Sequence, residues 1–193
     1  MNIVVKTASG FIAVRPDTTW ERYSRDFYVP DSVKMICWAP VAYTKMLRPG
    51  KCIEDKFAHR YYNEYDFAYG ILFYPFETDF KADGALMPPE AFAQACCIDH
   101  TSILTDPYPE GAWQGGAFSF IMNDETVYKA DLDARAFLRA ALVDSSKRVL
   151  LRNGDCVAME LSAPQLFNFD GTTSVRGIYD GAEVPLFDFN VIK

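Results

Sequence analysis

The sequence has little of what usually announces metal, nucleotide or membrane chemistry. It holds two histidines, His59 and His100, and no Cys-x-x-Cys pair. A four-ligand zinc site therefore has no framework. The glycine-rich stretch "GAWQGG" is followed by neither a lysine nor a helical pattern, which excludes a phosphate loop. No basic run stands out and the net charge is −7, which argues against nucleic acid or an anionic membrane as the main partner. An acidic substrate would then need a local positive site or a metal. No apolar stretch approaches the roughly 20 residues that span a bilayer. The opening "MNIVVKTASGF" has no long apolar core and no cleavage site, so no signal peptide is read. Internal repeats, low-complexity segments and linkers are missing too.

What is present is a folding chain. Half of the 193 residues are hydrophobic and 15% are aromatic, enough for a substantial core. The five cysteines are an odd number and, without an export signal, are expected as free thiols in a cytoplasmic protein. The adjacent Cys96 and Cys97 read as small core residues.

Local patterns give a strand-rich chain. "MNIVVKTASGFIAV" reads as two strands turning at Gly10. "VKMICWAPVAYTKML" is strand-like but broken at Pro40, since proline has no N–H for a ladder. "EYDFAYGILFYPF" is the strongest strand. A turn at Asp83-Gly84 and a short helix opening at Pro88-Pro89 follow. "AFSFIMNDETVYKA" reads as a hairpin turning at Asn123-Asp124. "DLDARAFLRAALVDSS" is the clearest helix, capped by Asp131, with Ala134, Phe137, Leu138, Ala141 and Leu142 as its apolar stripe. A turn at Asn153-Gly154 leads into a strand, and the tail holds two or three more. The reading is one α+β domain over residues 1–193.

Two acids need explaining. Glu64 and Asp66 stand at alternate positions at the start of the strongest strand, and alternate residues share a face. Like charges side by side repel. The arrangement suits either a wet edge strand or a site for a hard cation such as Mg²⁺ or Mn²⁺, which prefers carboxylate oxygens. The second reading needs a third acid. Asp99 is the candidate, because it ends the apolar run "FAQACCID".

Taken in order, these segments resemble the fumarylacetoacetate hydrolase family. "VAYTKM" is similar to its Phe-x-Lys-Pro strand, and "NEYDFAYGILF" to its Glu-x-Glu strand. "MPPEAFAQACCIDHTS" resembles its short helix leading into a strand that ends in a metal-binding Asp. "FIMNDETVYKADL" resembles its Val-Asn-Gly-Glu hairpin, and "LLRNGDCVAMEL" its Leu-x-Pro-Gly-Asp-Val turn and strand. The similarity runs from about Val41 to Leu161. It implies a mixed β-roll, and Mg²⁺ or Mn²⁺ held by Glu64, Asp66 and Asp99. It also implies a homodimer and an activity on small oxo or diketo acids, cleaved or decarboxylated while the metal stabilises an enolate.

The chain departs from the family pattern where the chemistry sits. Where the family has its catalytic lysine, "WQGGAF" offers Gly115 and Gly116, or the segment is deleted. "DHTSIL" loses an Arg and a second Asp. "MELSAP" replaces the Thr-Gly-Thr-Pro loop that holds a substrate carboxylate. The N-terminal His–Glu acid–base pair is missing, with Glu21 the nearby acid. His100, beside Asp99, is the candidate base. Two expectations follow: a metal-dependent hydrolase or decarboxylase of a small carboxylic acid, or an inactive homologue serving as a binding or subunit protein.

Overall fold

The computed structural model describes residues 1–78, 88–106, 116–130, 134–169 and 171–193. The expected turn at Asp83-Gly84 and the cap at Asp131 lie outside them.

The chain opens with β1 (Asn2–Lys6) and β2 (Ile12–Pro16), paired antiparallel. Gly10 in the turn has φ +87°, a conformation glycine adopts without strain. A 3₁₀ turn over Asp17–Thr19 leads to two short strands, β3 (Trp20–Glu21) and β4 (Phe27–Tyr28). The long β5 (Met35–Lys45) and β6 (Phe67–Phe76) form the central antiparallel pair. Helix α1 (Pro89–Ala95) and the short β7 (Ser102–Ile103) follow. Then come the hairpin β8 (Phe118–Met122) and β9 (Glu125–Ala130), helix α2 (Ala134–Arg148), and strands β10 (Cys156–Glu160), β11 (Gln165–Phe167), β12 (Thr172–Tyr179) and β13 (Phe187–Ile192).

The larger sheet runs in the order β2-β1-β10-β5-β6-β7-β3, with β11 also on β5. Its two ends curl toward each other. Arg15 of β2 donates through Nη2 to the Phe73 carbonyl on β6 and to Thr101 Oγ1 just before β7, so the sheet is nearly closed. The second sheet, β4-β13-β12-β8-β9, packs on it through rings. Tyr69 stacks on Phe118 at 4.8 Å, and Phe73 meets Phe189 edge-on at 6.2 Å. Helix α2 covers β1 and β10, with Ala141 and Leu142 against Val4 and Val157. Helix α1 sits on β6, where Phe92 stacks on Tyr74.

Three local expectations are corrected. First, β5 is not broken at Pro40. Below Pro40 the strand pairs β11, above it β10, and the Pro40 carbonyl still accepts from Leu161 N–H. The missing donor falls where one partner strand gives way to the next, so no ladder bond is lost. Second, Phe137 is 40% exposed while Ala134, Leu138, Ala141 and Leu142 are buried. It lines a cleft of about 80 Å³ with Tyr69, Tyr128 and Met159. Third, β6 is buried at all ten positions, at roughly 1.5–3 kcal/mol for each large apolar side chain. Such a strand has no wet face for carboxylates. Glu64 and Asp66 therefore precede it, in a turn where Asn63 Oδ1 accepts from Tyr65 N–H and the Asn63 carbonyl from Asp66 N–H.

All five cysteines are free, with Cys37, Cys96 and Cys156 buried and Cys97 exposed. Burial pushes the thiols of Cys37, Cys96 and Cys156 up to about 11, which keeps them protonated and unreactive near neutrality. No described helix is long and apolar enough to cross a membrane.

Candidate functional site

The strand order β5-β6-β7-β3 brings four strand ends together at one edge of the larger sheet. Lys45 is the last residue of β5, and its neighbour Thr44 pairs with Phe67, the first residue of β6. Asp66 lies immediately before β6, and its carbonyl accepts from Thr44 Oγ1 at 2.9 Å. Asp106 follows β7, and Arg22 follows β3, with Glu21 in register with Ile103. The result is a row of four charged residues in strand order, two acids flanked by two cations.

Lys45, Asp106 and Arg22 are joined by charge-assisted hydrogen bonds. Lys45 Nζ donates to Asp106 Oδ1 at 2.8 Å. Arg22 grips Oδ2 with Nε at 2.7 Å and Nη2 at 2.5 Å. Both carboxylate oxygens of Asp106 are thus held by cations. The cations also share an aromatic floor: Lys45 Nζ lies 5.2 Å from the Trp20 ring centre, and the Arg22 guanidinium lies 5.7 Å from it. Trp20 is fixed by its own donation to the Leu104 carbonyl at 2.7 Å. Arg22 and Arg25 also approach the ring of Tyr23. Side-chain exposure is 30% for Lys45, 42% for Arg22 and 47% for Asp106, so a small solute reaches all three.

Burial alone would raise the Asp106 carboxyl. The hydrogen bonds and charges of Lys45 and Arg22 outweigh it and hold Asp106 below the usual carboxylate range. Beneath the row, burial pushes the Tyr43 hydroxyl well above its ordinary value, with the charges of Asp106 and Asp66 adding to the effect. The Tyr43 hydroxyl is buried and has no hydrogen-bond partner among the described residues. It is held neutral, with its O–H free to donate a hydrogen bond.

The three carboxylates expected to bind metal are not brought together. Thr101 accepts from Phe73 N–H, and β7 runs antiparallel to β6. Asp99 therefore lies beyond Phe73, toward the end of β6 opposite Glu64 and Asp66. Among the described residues, no group of three or more His, Cys, Asp and Glu side chains is placed to hold a metal ion. The acid that does come to the start of β6 is Asp106, and each of its oxygens is engaged by a cationic nitrogen donor. The described donor set does not fit a divalent cation.

His100 also falls elsewhere. Its Nδ1 lies 3.3 Å from Oε2 of the buried Glu21, and its N–H donates to the Thr18 carbonyl. Its φ is +58°. The segment holding Gly115 lies outside the described residues.

Lys45, Arg22 and Asp106 carry the site, and the sequence held a signal for one of them. Asp106 ends the apolar run "SILTD" just before a proline, by the same logic that singled out Asp99 one run earlier. Nothing local distinguishes the two. The choice is made by which residues pair with β6.

No protein-family model and no curated protein matches the chain. Solved structures do. One, from Yersinia pestis CO92 and described as a fumarylacetoacetate hydrolase family protein, is 15% identical with a TM-score of 0.71, covering 99% of this chain and 92% of that one. Another is fumarylpyruvate hydrolase from Pseudomonas aeruginosa in complex with Mn²⁺ and pyruvate, 12% identical with a TM-score of 0.71, covering 100% and 89%. A third is 2-hydroxyhepta-2,4-diene-1,7-dioate isomerase from Mycobacterium marinum, 15% identical with a TM-score of 0.65, covering 99% and 74%. The chain has the fold of these fumarylacetoacetate hydrolase-type proteins, the mixed β-roll expected from the sequence.

Proposed function

We propose that this protein acts on a small oxo or diketo acid bound at the Lys45–Arg22 pair, as a hydrolase or isomerase of the fumarylacetoacetate hydrolase type. The observation that carries the reading is a positive pair on an aromatic floor in a chain of net charge −7. It is the local positive site that an acidic substrate needs here. An ammonium and a guanidinium bind a carboxylate by charge-assisted hydrogen bonds. They also stabilise an oxygen on which negative charge develops, the central requirement for cleaving or isomerising next to an oxo group. The Tyr43 hydroxyl lies beneath as a neutral donor.

The neighbours support the class of ligand. One of them holds pyruvate, and another is named as the isomerase of a diene dioate. The metal dependence of the first expectation is not part of this reading, because the described carboxylates do not assemble for it. A homodimer remains part of the proposal, with the exposed Phe11, Tyr28 and Leu166 as apolar surface for pairing.

The experiment is a titration with acetylpyruvate, a small 2,4-dioxo acid, read by tryptophan fluorescence. Trp20 reports directly on the site. A saturable change that Lys45→Ala weakens at least about tenfold is expected, since charged hydrogen bonds contribute roughly 1.5–3 kcal/mol. No saturable change, or one indifferent to Lys45→Ala, rejects the reading.

A further inference from the structure

We infer that Lys45 and Arg22 take the place of the divalent cation in this roll, so that the site binds its acid without metal. The inference deepens the function proposed above and rests on it for the identity of the ligand. It starts from a disagreement. Proteins of this fold include one with Mn²⁺ bound, whereas the described carboxylates of this chain do not assemble around a common point. Asp106, the acid of the row, is already paired with two cations, one on each oxygen.

Lone pairs come first. A magnesium ion sits about 2.0–2.1 Å from its oxygens and demands near-octahedral geometry. Oδ1 of Asp106 accepts from Lys45 at 2.8 Å, Oδ2 accepts from Arg22 Nε at 2.7 Å, and Arg22 Nη2 lies at ion-pair distance from the same oxygen. A cation entering along those lone pairs meets an ammonium or a guanidinium within hydrogen-bonding distance of the same oxygens.

Charge comes second. Lys45, Asp66, Asp106 and Arg22 sum to zero as they stand. A dication would take the row to plus two, with Arg25 close by on the Tyr23 ring. The usual reason for a metal here is to cancel clustered carboxylates, and that reason is gone.

Geometry comes third. The cation pair is preorganised from both sides. The Trp20 ring is pinned by its bond to Leu104, and both cations lie against it. Asp106 holds the two nitrogens near each other and is itself exposed enough for an incoming carboxylate to share or displace it. Asp106 is then a positioning residue for two anion-binding cations.

The test has two arms on the intact chain. In the first, Mn²⁺ is added to the unmodified protein and free Mn²⁺ is read by electron paramagnetic resonance. No uptake at millimolar metal is expected. One site per chain that Asp106→Asn removes overturns the inference. In the second, acetylpyruvate is titrated in EDTA and again in Mn²⁺. Dissociation constants agreeing within about twofold are expected, with Arg22→Ala and Lys45→Ala each weakening binding about tenfold or more. Binding that needs Mn²⁺ overturns the inference. The manganese arm uses no variant for its primary reading, so misfolding cannot obscure it. The arms also separate two failures. A protein that takes up no manganese and binds no acid keeps the metal-free row and loses the proposed function.

Discussion

Two places in this molecule put an arginine, an aromatic ring and a carboxylate together, and they do opposite things. Inside the roll, Arg15 is fully buried. Its Nη2 serves Phe73 O, Ala95 O and Thr101 Oγ1, and its guanidinium lies 4.9 Å from the centre of the Tyr74 ring. The Tyr74 hydroxyl donates to Glu160 Oε1, whose other oxygen accepts from Ala8 N–H. At the rim, Arg22, Trp20 and Asp106 form the exposed counterpart. The same chemical parts become structural when solvent is excluded and adjustable when it is not. Interior charges have nowhere else to go, because an unpaired buried charge is costly. Rim charges can exchange a protein partner for a ligand at little cost.

Breaking the interior cluster has the largest expected effect. Arg15→Ala leaves three acceptors and a buried carboxylate without their cation, and should destabilise the fold by about 3 kcal/mol. Urea denaturation measures it. A loss comparable to that of a surface substitution would erase the distinction between the two places.

The interior carboxylate sharpens the contrast through pH. Burial favours neutral Glu160, outweighing the bonds from Tyr74 and Ala8 that favour its charged form, so it titrates above its ordinary 4.5. A raised folded value means that its contribution to stability is complete below the ordinary value. That contribution is lost as pH rises through the raised one. Glu160→Gln should therefore gain stability relative to the parent as pH goes from about 4 to about 7. Asp106 at the rim has the opposite sense. Held low, it stabilises above its ordinary range and loses that contribution as pH falls through the lowered value. Parallel unfolding curves for Glu160→Gln and parent across that interval would count against the buried assignment.

At the rim, Asp106→Asn should move the melting temperature by no more than about 3 °C, since exposed ion pairs contribute little. It should loosen Lys45 and Arg22 without removing them. Acetylpyruvate affinity should then change by less than in Lys45→Ala. A drop equal to that of Lys45→Ala would make Asp106 a direct ligand contact.

The smallest effect belongs to His100, which the fold places beside Glu21 and away from the row. His100→Ala should leave acid binding unchanged within about twofold, well under the 1.4 kcal/mol that a tenfold change requires. A tenfold loss would restore it as a site residue.

Much of the fold was legible because short-range rules decide it. Asn123 and Asp124 have φ +46° and +65°, the pair of positive values a two-residue hairpin turn requires. The stripe of α2 follows from 3.6-residue periodicity. The site was less legible because it is assembled by strand order. Glu64 and Asp66 were visible, but the same-face argument presumed a strand that starts one residue after Asp66. Asp99 and Asp106 each end an apolar run, and only the pairing of β7 with β6 tells which one reaches the row. Arg22 gave no signal at all, since its role comes from a two-residue strand, β3, lying beside β7. Pro40 misled for the same reason: its lack of a donor matters only against a partner strand, and at that point the partner changes.

β1 pairs in parallel with β10, Val4 against Val157, and this has a consequence for biosynthesis. During synthesis β1 must wait for β10, which lies far later in the chain, before its second edge is covered. Until then Ile3 and Val5, both fully buried in the finished protein, face solvent on a hairpin too small to hold itself together. Chain closure over so long a separation is slow. A nascent chain halted before Cys156 should accordingly be a client for chaperones that bind exposed apolar strands, and release past Glu160 should end that dependence.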